Sequence, residues 1–138
     1  MILYEVKIDY QRQTGEDNPG KVKETYLVEG LTPTDVEARL MDEITPFIVG
    51  GESEIKSCKK VQFFDIYPNP DGENWYKARV EMITVDGDKE TRKAVSVLCQ
   101  DNSVAEAVKH LQTQLNGLDC EIISVAKSPI IDFFRAVD

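Results

Sequence analysis

One histidine, three cysteines and a scatter of lysines and arginines are the side chains of this 138-residue chain that could do chemistry. His110 falls on a segment that reads as a helix, and it flanks the apolar stripe rather than joining it. A catalytic histidine needs a nucleophile or carboxylate partner, and zinc needs three or four soft or imidazole ligands. The sequence around His110 offers neither set, so a surface histidine is expected. Cys58, Cys99 and Cys120 form no CxxC pair and occupy different elements, which predicts reduced thiols used as small core hydrophobes. Asp71-Gly72-Glu73-Asn74 and Asp86-Gly87-Asp88 look like calcium-loop fragments but lack the alternating oxygens and distal carboxylate, so they read as turns. Gly50-Gly51 follows a helix instead of preceding one, the opposite of a phosphate cradle, and neither GxSxG nor HExxH occurs. The expectation is a non-enzyme with no catalytic residues, no metal and no cofactor.

One distribution does point to a ligand. Strand alternation assigns Lys7, Lys23, Trp75, Lys77, Arg79 and Arg92 to one and the same open sheet face, away from the helices, diluted by Glu5, Asp9 and Glu81. The acids concentrate elsewhere: Glu16 and Asp17 in a loop, Asp35, Glu37, Asp42 and Glu43 on a helix, and Asp71, Glu73, Asp86 and Asp88 in turns. Cations that track phosphates beside an aromatic for base stacking are what a single-stranded nucleic-acid platform requires. At the other end, Asp132, Phe133 and Phe134 form an acidic-aromatic tip of the kind that docks on partner proteins. Phe63-Phe64-Asp65-Ile66 occupies an equivalent internal position, which favours a packed structural role for the tail.

The elements that must position these residues are written twice. Tyr4-Glu5-Val6-Lys7-Ile8-Asp9 returns as Tyr76-Lys77-Ala78-Arg79-Val80-Glu81, and Glu54-Ile55-Lys56-Ser57 returns as Glu121-Ile122-Ile123-Ser124. Glu37-Ala38 returns as Glu106-Ala107, and the matches keep their order at an offset of roughly 70 residues. Residues 3–10 alternate as a half-buried strand, the turn formers from Thr14 to Gly20 lead into a second strand over 21–29, and Thr32-Pro33 opens a helix. That helix spans 33–48, carries Val36, Leu40, Ile44 and Phe47 inward, and is followed by one bent extended stretch over 53–66. Trp75–Ile83 and Thr91–Cys99 form the second hairpin across Asp86-Gly87. Asp101 caps a second helix to about 115, with Val104, Ala107, Val108, Leu111 and Leu115 inward, before a strand over 119–125. The fold class predicted is α+β: a tandem-duplicated β-β-α-β unit, mainly one antiparallel sheet with two helices on one face, related by a pseudo-two-fold axis. Residues 1–138 form a single domain whose repeats, about 1–67 and 74–134, share one core.

With 25 acidic against 16 basic residues the net charge is −9, which favours solubility and disfavours non-specific attraction to anionic surfaces. No apolar run reaches the ~20 residues of a membrane span, and no leader pattern is present, so a cytoplasmic protein with no membrane partner is expected.

Tyr26-Leu27-Val28, Glu37-Ala38-Arg39, Ile44-Thr45-Pro46-Phe47-Ile48, Trp75-Tyr76-Lys77 and Ser128-Pro129-Ile130-Ile131-Asp132 together resemble an uncharacterised family of small proteins from gut Bacteroidales and their phages. The likeness spans essentially the whole chain. It implies no activity and no functional residues, but it suggests a phage or mobile-element setting. The resulting expectation is a binding protein, first a single-stranded nucleic-acid platform. Its alternatives are a protein-interaction module acting on a host protein or as a homodimer, or a virion assembly component.

Overall fold

A computed structural model describes residues 2–13 and 19–136, so most of the expected first turn, Thr14 to Asn18, lies outside the described residues. The element order is β1 (Ile2–Gln13), β2 (Pro19–Gly30), α1 (Pro33–Ile44), a 3-10 turn (Thr45–Phe47), β3 (Glu54–Val61) and β4 (Asp65–Tyr67). It continues with β5 (Asn74–Asp86), β6 (Lys89–Asp101), α2 (Val104–Gln114), β7 (Cys120–Lys127) and β8 (Ile130–Phe134). The protein is mixed α+β, with two mainly antiparallel four-stranded sheets where one sheet was expected. The reason is that both edges of each hairpin are already filled. β1 pairs outward with β3 and β2 with β8, while β5 pairs outward with β7 and β6 with β4.

The chain divides into two compact units, residues 1–61 with 129–138, and residues 62–128. The first has strand order β3-β1-β2-β8 and the second β4-β6-β5-β7. In both, the hairpin and the strand after the helix pair antiparallel, whereas the short closing strand pairs parallel. β4 opens the second unit just after the chain has crossed into it, and β8 completes the first unit after the chain has crossed back. The extended stretch expected over 53–66 is therefore two strands, β3 in the first unit and β4 in the second.

Each unit gathers its own buried cluster under its helix. Tyr4, Val6, Ile8, Tyr10, Tyr26 and Val28 alternate onto the face covered by Val36, Leu40 and Ile44 of α1. In the second unit Tyr76, Ala78, Val80, Val97 and Cys99 meet Ala107, Leu111 and Leu115. The helices begin as their caps dictate. Thr32 Oγ1 accepts from the Asp35 amide at 3.2 Å, and Ser103 Oγ accepts from the Glu106 amide at 3.1 Å. Ser103, not Asp101, is thus the N-cap of α2. Pro46 ends α1 at Ile44, because proline lacks the amide proton the helix needs. Phe47 is consequently exposed instead of inward, as is Val104 at the start of α2.

In the first unit the hairpin carries a polar network beside the core. The Tyr10 and Tyr26 hydroxyls both donate to Glu24 Oε1, the latter at 2.8 Å, and Arg12 Nη1 lies 3.4 Å from Glu24 Oε2. The Arg12 guanidinium also sits 4.7 Å above the Phe47 ring. Burial, then the bond to Glu24, pushes the Tyr26 phenol well above its ordinary pKa of 10.0, and the same causes raise Tyr10. Because the folded values are raised, this contribution is fully present below the unfolded tyrosine pKa of about 10 and is lost as pH rises beyond it. Tyr26→Phe is expected to cost about 1 kcal/mol at neutral pH through the lost hydrogen bond. It should also flatten the decline of stability above about pH 10 in denaturant melts. A decline as steep as in the wild type would contradict this role.

Candidate functional site

The structure places the expected cations in two separate sets. Lys7 and Lys23 lie on the helix-free face of the first unit's sheet, where Asp9 stands directly across from Lys23 in register. Trp75, Lys77, Arg79 and Arg92 alternate onto the helix-free face of the second unit's sheet. All five cations are exposed. Trp75 is not: only 3% of it is accessible, so it has no face to offer a base. Leu27 and Leu98 are also fully buried on helix-free faces, and Asp9 and Thr25 are buried on the same face as Leu27. The single shared face expected of the six is thus divided between two sheets, and a face turned from the helix is not thereby open.

Arg92 is committed as well. Its Nη1 is 2.6 Å from Glu121 Oε2 and 3.5 Å from Glu81 Oε2, and its Nε is 3.6 Å from Glu90 Oε2. Three carboxylates around one guanidinium leave little positive potential for a phosphate. Lys77 and Arg79 remain, exposed and two residues apart on β5.

The tail residues belong to β8. Phe134 stacks on Tyr26 with ring centroids 5.2 Å apart and packs against the first unit's cluster. Arg135 covers Phe133 at 5.2 Å, and Asp132 Oδ1 accepts from the Phe133 amide at 2.8 Å. Asp132, Phe133 and Phe134 thus lie in a closing strand, in keeping with the packed role that the internal match favoured over docking.

A polar cluster that the sequence concealed lies in the second unit. Cys99 and Asp101 are two residues apart on β6, so both turn toward α2, and His110 descends from the helix to meet them. His110 Nδ1 is 2.9 Å from Asp101 Oδ2, with the two side chains 19% and 6% exposed. The expected surface histidine is therefore a half-buried one paired with a carboxylate. The other carboxylate oxygen, Asp101 Oδ1, accepts from Asn69 Nδ2 at 3.4 Å. The turn carrying Asn69 is clamped to the end of β6. Gln100 Nε2 donates to the Gly72 carbonyl at 3.1 Å, Asn102 Nδ2 donates to the Asp71 carbonyl at 3.0 Å, and the Glu73 amide donates to Asn102 Oδ1 at 2.9 Å. Only glycine fits at position 72, since a Cβ there would lie 2.7 Å from the Asp101 backbone nitrogen.

The sulfur, carboxylate and imidazole donors of Cys99, Asp101 and His110 all lie within 4.8 Å of one another. Burial, reinforced by the neighbouring Asp101, pushes the Cys99 thiol up to about 12. That direction is the opposite of the lowered thiol of an activated nucleophile. Two signals could have located it: the alternation of Cys99 and Asp101 on one strand, and His110 one turn beyond the inward Ala107.

The buried position of Trp75 has a direct consequence. Trp75→Ala is expected to cost about 3–5 kcal/mol of unfolding free energy, as removal of a large buried aromatic does. A cost below about 1 kcal/mol in urea unfolding would place the indole at the surface instead.

Among the described residues no helix is long and apolar enough to cross a membrane. No curated protein matches the chain. One family model does, over residues 2–136, and by that match the chain belongs to the family described as a domain of unknown function, DUF4494.

Proposed function

We propose that the protein is a non-catalytic binding module whose partner is another protein, engaged at the edge strand β7. The observation that carries this reading is the contrast between two sheet edges. β7 ends the second unit's sheet and pairs only with β5 among the described residues. Its sequence, Cys-Glu-Ile-Ile-Ser-Val-Ala-Lys, has a single lysine at its very end, and Ile123 is 44% exposed at a bulge opposite Arg79 and Val80. β3, the corresponding edge of the first unit, carries Lys56, Lys59 and Lys60, the charges that discourage strand addition. An extended partner segment can supply main-chain hydrogen bonds to β7 and an apolar side chain to Ile123. The net charge of −9 favours a basic segment.

Two finer features support the same picture. Both sheets have the same strand order read from the strand after the helix, and both have a bulge at matching places, beside Lys56 in β3 and beside Ile123 in β7. We take these as support for a tandem duplication, in which one copy has a guarded edge and the other does not. A phage or mobile-element setting would make a host protein the natural target.

The second reading is a single-stranded nucleic-acid platform, favoured by the exposed neighbours Lys77 and Arg79. It lacks a stacking aromatic at Trp75 and a free cation at Arg92. Copurification of the tagged chain from cells that encode it, with and without nuclease, separates the two. We expect a protein partner that survives nuclease, falls about tenfold or more with Ile123→Lys, and is unchanged by Lys77→Glu with Arg79→Glu. A partner lost on nuclease treatment or with the double charge reversal, together with salt-sensitive single-strand binding, would overturn the protein reading.

A further inference from the structure

We infer that Cys99, Asp101 and His110 form a binding site for a soft divalent cation of the zinc class. The inference goes beyond the partner-binding role and does not depend on it. The donor set is a thiol sulfur, an imidazole nitrogen and a carboxylate oxygen, which is the ligand chemistry zinc selects and calcium or magnesium does not. The three donors lie within 4.8 Å of one another. Tetrahedral zinc, with bonds of about 2.0–2.3 Å, sets its ligand atoms about 3.3–3.6 Å apart. The 2.9 Å contact between His110 Nδ1 and Asp101 Oδ2 therefore needs to open by about half an ångström, and a separation at the 4.8 Å bound needs to close by about an ångström, both within the reach of side-chain rotations.

The mounting suits a metal. Two ligands come from one face of β6 and one from the middle of α2, both regular elements with little freedom. Asp101 holds one oxygen toward His110 while the other accepts from Asn69, the kind of outer hydrogen bond that orients a ligating carboxylate. Asn69 is fixed in turn by the clamps that Gln100 and Asn102 place on its turn. The His110 side chain keeps 19% of its surface open, which gives an ion a path in and leaves room for water as a fourth ligand. The ion takes the place of the thiol proton, and His110 coordinates through Nδ1 as the neutral imidazole with its proton on Nε2.

The first unit supplies an internal comparison. Counted from the helix N-caps Thr32 and Ser103, the positions of Cys99, Asp101 and His110 correspond to Val28, Gly30 and Arg39. The same strand-and-helix arrangement thus closes its core without any of the three donors. The trio is an addition of the second unit and not a requirement of the architecture.

The test uses the full chain, stripped with chelator and titrated with Co²⁺, then with Zn²⁺. We expect about one Co²⁺ per chain, the intense near-ultraviolet band of a cobalt–thiolate bond, and displacement by Zn²⁺. Cys99→Ala should abolish that band, while Cys58→Ala and Cys120→Ala leave it intact. Asn69→Ala should weaken binding about 10–100-fold, as loss of an outer partner does. His110→Ala should weaken it at least as much, and Zn²⁺ should raise the melting temperature of the wild type but not of that variant. His110 is at the rim of the cluster, so this variant keeps the test open if Cys99→Ala does not fold. No thiolate band at excess Co²⁺, a band insensitive to Cys99→Ala, or unchanged affinity in His110→Ala would each overturn the site.

Discussion

The parallel pairing of each closing strand is the interaction on which the rest of the structure depends. β8 runs beside β2 through the partners Tyr26–Asp132, Leu27–Phe133 and Val28–Phe134, and β4 runs beside β6 from Asp65–Val97 to Tyr67–Cys99. Parallel strands need a long connection: between β4 and β6 it is the strand β5 with its loops, and between β2 and β8 it includes the entire second unit. The Ala136 amide donates to Glu29 Oε1 across 107 positions of chain. Loop closure over that distance costs only slightly more than over a short one, because the entropy grows as the logarithm of length. Once made, the pairing covers the outer edge of each long hairpin and seats Phe134 on Tyr26. It also explains why there are two sheets: with β3 and β8 on one hairpin and β7 and β4 on the other, no hairpin edge is left to join them into one.

Within this shared plan the units invest their polar groups differently. The first places a phenol–carboxylate–guanidinium network of Tyr10, Tyr26, Glu24 and Arg12 on its hairpin. The second places Cys99, Asp101 and His110 between strand and helix, and anchors a turn to the end of β6 through Gln100, Asp101 and Asn102. Tyr10, Tyr26 and Cys99 belong to the buried clusters themselves, whereas Glu24, Arg12, Asp101 and His110 lie outside them. Buried polar groups that the core does not require carry a desolvation cost, so their presence calls for a use. For the second unit that use is the proposed cation site; for the first it is the alkaline-sensitive brace of the hairpin.

Much of the secondary structure was legible in the sequence, and the reasons are local. Tyr4, Val6, Ile8 and Tyr10 alternate, Thr32-Pro33 caps a helix, and Gly87, with φ +63, supports a tight two-residue turn. What failed was everything set by a distant partner. Val61-Gln62-Phe63-Phe64 contains no proline or glycine to mark the passage between units, so β3 and β4 read as one stretch. Asp101 and Ser103 are both capping residues two positions apart. Only the structure shows that the serine caps the helix while the aspartate holds His110. Period-two alternation put Trp75 on the helix-free side but carried no information about its burial. The ion pairs that occupy Arg92 come from Glu81, Glu90 and Glu121, of which the last lies on a strand whose place beside β5 no local pattern announces.

The central claim is that the first unit is completed by a strand lying beyond the second. Hydrogen exchange on the full chain and on a chain ending at Ser128 tests it most directly. The account predicts that removing β8 strips protection from the amides of β1, β2 and α1 while those of β5, β6 and α2 stay protected. Equal protection of β1, β2 and α1 in both chains would contradict it.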